Sequence, residues 1–196
     1  MQLEHGMDLA LRSGMKFLIP FLLLPLLGGA QDRTLYRVDR SSVRFVSEAP
    51  LERITASTDK TTGVLDLDQR TFAVQVPLRS LEGFNSPLQR EHFNENYMRS
   101  QQFPNAVFAG RIIEHVDLRV PGEHQVRAKG MLTIHGEQRE RILDCLLRIG
   151  PDGVRVTSTF GVLLEEHGVR VPRVVQQKIA NEVEVEVDLH FAKPGE

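Results

Sequence analysis

A segment near the end of the chain alternates strictly between apolar and polar side chains. Its apolar members are Val183, Val185, Val187, Leu189 and Phe191, and the residues between them are, in order, Glu, Glu, Asp and His. Successive side chains of a strand point to opposite faces, so this period of two predicts a strand with one face in a core and one in water. Such half-buried strands are typical of antiparallel sheets.

The same alternation recurs through the chain and predicts an all-β fold. It is clear over residues 72–78, 126–134 and 154–162. Weaker strands are predicted over 36–38, 43–46, 53–56, 63–67, 107–113 and 141–149. Turn residues separate them, for example at 39–42, 68–69 and 135–136. Eight or nine short strands favour an antiparallel barrel or a sandwich, and closure into a barrel leaves no strand edge exposed.

One helix interrupts the strands, and we predict it over residues 87–98. Ser86 is a capping residue, Pro87 suits the first helical position, and Gln89 follows the cap by three residues. Phe93 and Tyr97 are four residues apart and share one helical face. A second short helix is predicted over 172–180. No repeat or linker divides the chain, which predicts one domain over 31–196.

The N-terminal residues have the pattern of a secretory signal peptide. Residues 17–27 read FLIPFLLLPLL, with Lys16 before them and Gly-Gly-Ala at 28–30 after them. The run is too short to span a bilayer as a helix, and its two prolines disfavour a buried helix. We therefore predict a signal peptide over 1–30, cleaved after Ala30, and a periplasmic or secreted protein. Met15 is an alternative start, in which case residues 1–14 are an annotation artefact.

Composition and charge exclude several classes of function. With 24 basic and 26 acidic residues the net charge is −2, so there is no electrostatic footprint for nucleic acid. The single cysteine, Cys145, excludes an intrachain disulfide and a cysteine-based zinc site. It shares a strand face with Leu143 and Leu147, which predicts a buried structural thiol. The histidines lack the spacing of chelating pairs, so no metal and no cofactor is predicted.

No catalytic signature is present. The chain lacks a G-x-S-x-G elbow, a phosphate-binding P-loop and a G-x-G-x-x-G motif. Glu91 beside His92 is the one candidate acid–base pair, although two solvent-facing residues in an early helical turn explain it better. We predict no enzyme, and keep Glu91 and His92 as the enzymatic alternative.

The interior of the predicted barrel decides between the remaining functions. An eight-stranded barrel is either filled by side chains or wide enough for one small ligand. Small residues at Ala128, Gly130 and Ser158 interrupt the bulky inward series and would leave room. A filled interior means a structural or interaction module, whereas a hollow one selects apolar molecules by desolvation. Periodicity leaves both open.

Three segments resemble the YceI-like family. Residues 91–108 resemble its helix, which leads to an aromatic-Pro pair and a strand with Phe108 four residues after Pro104. Residues 130–136 resemble its G-x-L-T-x-x-G strand and turn, and residues 36–45 its first strand pair. The chain departs from the pattern in two places. Residues 47–61 contain no His, and His92 stands one residue nearer the proline. These departures indicate a divergent branch.

The resemblance implies an exported, lipocalin-like barrel that encloses an isoprenoid chain, such as a polyprenyl phosphate or a quinone, without established catalysis. The helix would then close or line the mouth, with a charged head group near Arg90, Arg99 or Arg173. Contact with a membrane surface and a homodimer are open. The predicted ligand-binding residues are Phe45, Phe72, Val74, Val76, Phe93, Tyr97, Met98, Phe108, Leu132, Ile134, Phe160 and Val162.

Overall fold

Nine antiparallel strands form one sheet in the computed structural model, which describes residues 34–193. The predicted signal peptide over 1–30 lies outside the described residues. The strands are β1 (Leu35–Glu48), β2 (Arg53–Thr58), β3 (Thr62–Asp66), β4 (Thr71–Pro77), β5 (Asn105–Ile112), β6 (Gly122–Ile134), β7 (Glu137–Gly150), β8 (Gly153–Leu163) and β9 (Glu182–Ala192). Helix α1 (Pro87–His92) lies between β4 and β5 and continues into a π-helical turn, Phe93–Tyr97. Single 3₁₀ turns are Leu78–Ser80, Leu164–His167 and Arg173–Val175.

Strand β1 closes the sheet into a barrel. Along one edge it pairs with β9 from Arg37 to Val46. Along the other edge it pairs with β2 through residues 43–48 and with β3 through residues 35–37. Strands β2 and β3 therefore lie end to end and together occupy one strand position. The nine strands thus form a closed antiparallel barrel with eight strand positions. The predicted fold class is confirmed.

Strand β1 is continuous where the sequence predicts two strands and a turn over 39–42. The turn is wrong, because the pairing with β9 shifts between Val38 and Arg40 in a β-bulge that takes up Asp39 as the extra residue. The Asp39 carboxylate accepts a hydrogen bond of 2.6 Å from His190 Nδ1 on β9. That bond is the largest cause of the lowered pKa of Asp39. Asp39 therefore lies in a strand although its local sequence has the pattern of a turn.

The helical predictions hold for the first helix and fail for the second. Ser86 caps α1 by accepting a hydrogen bond from the Gln89 amide, as predicted. Residues 172–180 contain only the 3₁₀ turn Arg173–Val175. The Ala180 amide donates to Ser47 Oγ on β1 at 2.9 Å, which ends this segment against the barrel instead of extending a helix.

The two ends of the barrel differ. The lower end carries the β3–β4, β5–β6 and β7–β8 connections, and a cluster of buried side chains that includes Leu118, Leu147, Val154 and Phe191 plugs it. The upper end carries the β1–β2 turn, helix α1 and the long β8–β9 connection. All helical structure in the described chain therefore covers one end.

The wall is not paired uniformly. Strands β7 and β8 form ladder pairs only between residues 146–150 and 153–157. Above these pairs, side chains bridge the seam: Ser158 Oγ donates to the Asp144 carbonyl and Arg141 donates to the Gly161 carbonyl, each at 2.7 Å. Arg141 also pairs with Glu166 at 3.3 Å. The upper half of this seam is held by side chains alone.

A glycine pair brings β5 and β6 close together. Gly110 and Gly130 are direct partners. A Cβ on Gly110 would overlap the Lys129 carbonyl oxygen, and a Cβ on Gly130 would overlap the Ala109 carbonyl oxygen. The expectation that Gly130 makes room inside the barrel is therefore wrong, because its missing side chain lets two backbones approach.

Replacing Gly110 by Ala is expected to destabilise the protein by about 1–3 kcal/mol, because overpacking against backbone atoms forces the strands apart. Unfolding in urea measures the change. Gly150→Ala is the matched control, since nothing lies within 4 Å of its added Cβ. Equal free energies of unfolding for the two variants would contradict the close approach.

Candidate ligand-binding cavity

A cavity of about 550 Å³ occupies the barrel. Its volume lies within the range of about 300–1,000 Å³ that is usual for small-molecule sites. The wall is almost entirely apolar and is formed by the inward faces of the strands together with the helical cover of the upper end. The barrel is hollow, which removes the main support for a filled structural module.

All twelve predicted ligand-binding residues lie on the wall of this cavity. They are Phe45, Phe72, Val74, Val76, Phe93, Tyr97, Met98, Phe108, Leu132, Ile134, Phe160 and Val162. Of the small residues, Ala128 and Ser158 line the cavity and Gly130 does not. Period two is sufficient to place the strand residues, because inner and outer faces alternate strictly. That these side chains bind a ligand stays a prediction.

Three phenylalanine rings join the helical cover to β1. Phe93 stacks on Phe45 with ring centroids 5.5 Å apart and planes 12° apart. Phe84 packs at an angle, 5.9 Å from Phe45 and 5.1 Å from Phe93. Such pairs contribute about 0.5–1.5 kcal/mol each beyond their burial. Phe84 escapes sequence analysis because it lies in an irregular connection without periodicity.

Hydrogen bonds fix the π-helical turn that carries Phe93 and Tyr97. Buried Ser100 donates to Asn94 Oδ1 at 2.7 Å, and Asn94 Nδ2 donates to the Arg90 carbonyl at 2.9 Å. Burial raises the pKa of Tyr97, so its phenol is neutral at physiological pH and adds no charge to the wall. The turn and Met98, which follows it, together contribute three wall residues from one short stretch of chain.

Polar groups of the wall concentrate at the upper end. Glu52, Gln89, His92 and Lys178 line the cavity there, and Lys178 is the only Lys or Arg on the wall in the described chain. The Glu52 carboxylate accepts hydrogen bonds from Asn85 Nδ2 at 3.2 Å and Gln89 Nε2 at 2.9 Å. The cavity is therefore apolar along its length and polar at one rim.

The three arginines predicted to meet a head group lie off the wall. Arg90 donates to the Arg79 carbonyl and pairs with Glu82 at 3.7 Å. Arg99 lies over the Phe103 ring, 5.8 Å from its centroid. Arg173 belongs to the exposed 3₁₀ turn of the β8–β9 connection. Periodicity could not place them, because all three lie in connections.

The alternative catalytic pair is not assembled in the cavity. Glu91 and His92 are both exposed on α1, and only His92 reaches the rim. Between residues 34 and 193, no group of three or more His, Cys, Asp or Glu side chains is arranged to hold a metal ion. Over the same range, no helix has the length and apolarity needed to cross a bilayer.

The YceI-like domain profile matches residues 36–191, most of the chain. The chain belongs to the YceI-like family. No curated protein matches the sequence.

Solved structures of the same architecture match this YceI-like domain at low identity. A polyisoprenoid binding domain from Saccharophagus degradans, implicated in plant cell wall breakdown, shares 15% identity and a TM-score of 0.70, over 83% of this chain and 100% of that one. BcnA of Burkholderia cenocepacia shares 14% and 0.63, over 76% and 94%. The Campylobacter jejuni YCEI protein shares 11% and 0.56, over 72% and 85%. These similarities confirm the barrel fold.

Cys145 lies on the inner face of β7 with Leu143 and Leu147, as the alternation predicts, and lines the cavity. Its Sγ is 3.7 Å from the Leu143 carbonyl oxygen. Burial raises the pKa of the thiol, so the protonated, unreactive form dominates at neutral pH.

Alkylation of Cys145 by iodoacetamide is expected to be slower than that of an exposed thiol at neutral pH, and to accelerate only above the ordinary cysteine pKa. Mass spectrometry over a pH series measures the rate. The same protein in denaturant is the control, because its thiol is then solvated. Equal rates in the native and the unfolded protein would contradict a buried thiol.

His167 is a fully buried side chain that sequence analysis missed. Its Nδ1 donates to the Glu137 carbonyl at 3.2 Å, and its own carbonyl accepts from His135 Nδ1 at 3.2 Å. Its Nε2 has no partner among the described residues. These bonds hold the turn Leu164–His167 against the β6–β7 hairpin, next to wall residues Leu164 and Val169.

Burial lowers the pKa of His167 below its ordinary value of 6.5. The unfolded chain therefore takes up this proton at a higher pH than the folded one. The contribution of His167 to the free energy of unfolding is therefore fully present above the ordinary pKa of histidine. It is lost as the pH falls from that value through the lowered pKa of the folded protein. His167→Asn keeps a donor for the Glu137 carbonyl but does not titrate. It is expected to flatten the acid limb of unfolding free energy against pH. His115→Asn, at an exposed position, should leave that limb unchanged.

Proposed function

We propose that this chain is an exported lipid-binding protein that sequesters or carries an isoprenoid-type amphipathic lipid, a polyprenyl phosphate or a quinone. The observation that carries the proposal is the apolar cavity with its polar groups gathered at one rim. The solved polyisoprenoid binding domain of the same fold supports the class of ligand.

The wall suits a hydrocarbon chain. Aliphatic and aromatic side chains offer no hydrogen bonds, so a polar molecule would lose its hydration without replacement, at a cost of about 1–3 kcal/mol per group. An apolar chain gains roughly 25 cal/mol for each Å² removed from water. The plugged lower end and the rim with Gln89, His92 and Lys178 orient the ligand, tail down and head up.

Export is part of the proposal and rests on the N-terminal sequence, where the apolar run 17–27 and the small residues after it have the pattern of a signal peptide. A carrier of this kind would act in the periplasm or outside the cell. No catalysis is proposed, since Glu91 and His92 do not converge on the cavity.

Gently purified protein, extracted with organic solvent, is expected to release an isoprenoid lipid that mass spectrometry identifies. Added quinone or polyprenyl phosphate should raise the melting temperature, because a ligand at 100 times its Kd stabilises the folded state by about 2.7 kcal/mol. A protein that yields no lipid and whose melting temperature neither compound shifts would contradict the proposal.

Ala128→Phe is expected to lower the amount of bound lipid and to weaken binding about tenfold, or about 1.4 kcal/mol, because the ring would enter the cavity. Ala128 is buried on the inner wall of β6. Met131→Phe is the matched control, since Met131 is exposed on the outer face of the same strand. Circular dichroism verifies folding. Equal lipid content in the two variants would place the ligand elsewhere.

A further inference from the structure

Exposed apolar side chains gather at the upper end of the barrel. Residues 34–193 contain six large apolar side chains that are exposed, and three of them are Leu51 at 67%, Leu88 at 58% and Val174 at 90%. Single exposed apolar residues are ordinary on a protein surface, whereas a cluster marks a contact site. Val174 is the most exposed of the six.

Contacts between the connections bring these three side chains to one rim. The Leu51 amide donates to the Gln177 carbonyl at 2.8 Å, which joins the β1–β2 turn to the β8–β9 connection. Glu52 accepts from Gln89 Nε2, which joins the same turn to α1. Leu88 lines the upper end of the cavity together with Val175, the neighbour of Val174.

The β8–β9 connection also brings positive charge to the rim. Residues 170–180 contain Arg170, Arg173 and Lys178 and no acidic residue. Among the ion pairs of the described chain, none involves these three cations. Two neutral side-chain amides donate to the Glu52 carboxylate without cancelling its charge, and on α1 Arg90 pairs with Glu82. The positive charge of the rim is therefore concentrated in the β8–β9 connection.

We propose that this rim docks on the surface of an anionic lipid bilayer. The docking surface consists of Leu51, Leu88, Arg170, Arg173, Val174 and Lys178. The inference rests on the proposed function, because a lipid that resides in a bilayer enters the cavity through this end.

The chemistry of the docking surface fits a bilayer. Apolar side chains insert between head groups, while each Lys or Arg near an anionic surface adds about 1 kcal/mol of attraction. A rim pressed against the membrane gives a hydrocarbon tail a path that avoids water. Three short apolar side chains make a weak and reversible contact, and a carrier has to leave the surface again. The contact weakens as salt screens the charges.

Sedimentation with sucrose-loaded vesicles tests the docking surface. The full protein is expected to sediment with vesicles of phosphatidylcholine and phosphatidylglycerol in equal amounts. It should sediment much less with phosphatidylcholine alone, and less with the mixed vesicles at high salt. Wild-type protein that stays in the supernatant with the mixed vesicles overturns the inference, as does equal binding to both compositions. Wild-type protein that binds a protein partner but not the mixed vesicles also overturns the inference.

Variants off the cavity wall separate docking from ligand binding. Leu51→Glu/Val174→Glu is expected to reduce sedimentation about tenfold or more, and Arg170→Gln/Arg173→Gln to reduce it similarly. The matched controls are Val120→Glu/Ile142→Glu, at side chains 52% and 51% exposed, and Lys60→Gln/Arg111→Gln. Both controls should bind vesicles as the wild type does. A rim variant that sediments like its control overturns the inference.

Extraction and mass spectrometry of the same variants keep the two proposals apart. The rim variants should retain the lipid of the wild type, since none of their substituted residues lines the cavity. Vesicle binding by a wild type that holds no lipid, and whose melting temperature neither added quinone nor polyprenyl phosphate shifts, would refute the proposed function and leave the docking surface standing. A wild type that retains lipid but does not bind vesicles would refute the docking surface and leave the proposed function standing.

Discussion

Closure of the sheet through β1 is the constraint on which the rest of the molecule depends. This strand is long enough to pair with β9 along one edge and with β2 and β3 along the other. The bulge at Asp39 lets the strand bend as it does so. Without closure the inward faces of nine strands would have to pack on another layer. With it they face one another across a space that side chains do not fill.

The asymmetry between the two ends converts this space into a site. Below, buried side chains such as Leu118 and Phe191 exclude water and stop the cavity. Above, the cover is made of short helical turns, held by aromatic stacking of Phe93 on Phe45 and by the hydrogen bonds of His167. Because the strands are antiparallel, the β1–β2 turn, helix α1 and the β8–β9 connection all lie at the same end. The cavity therefore has a closed lower end and a polar rim to which three separate connections contribute.

Local pattern was sufficient where the physics is local. The alternation that ends at Phe191 predicts β9 and its inner face, since side-chain direction in a strand depends on parity alone. Pattern failed where tertiary partners decide. Asp39 has the local signature of a turn, yet its partner His190 lies 151 residues away and keeps it in a strand. Phe84 and His167 have no periodic neighbours, so only the fold reveals them. The volume of the cavity depends on all wall residues together, so no local sequence pattern predicts it.

The seam between β7 and β8 has a mechanical consequence. A ladder sets the spacing of two strands through a row of backbone bonds, all of which must break for the strands to part. Over the upper half of this seam no such row exists, and the guanidinium of Arg141 reaches across to the Gly161 carbonyl. The width of the barrel there depends on two side-chain bridges, from Arg141 and from Ser158, and the Arg141 side chain is long and flexible. The seam could widen there to admit a bulkier ligand while the backbone pairing of the other strands stays intact.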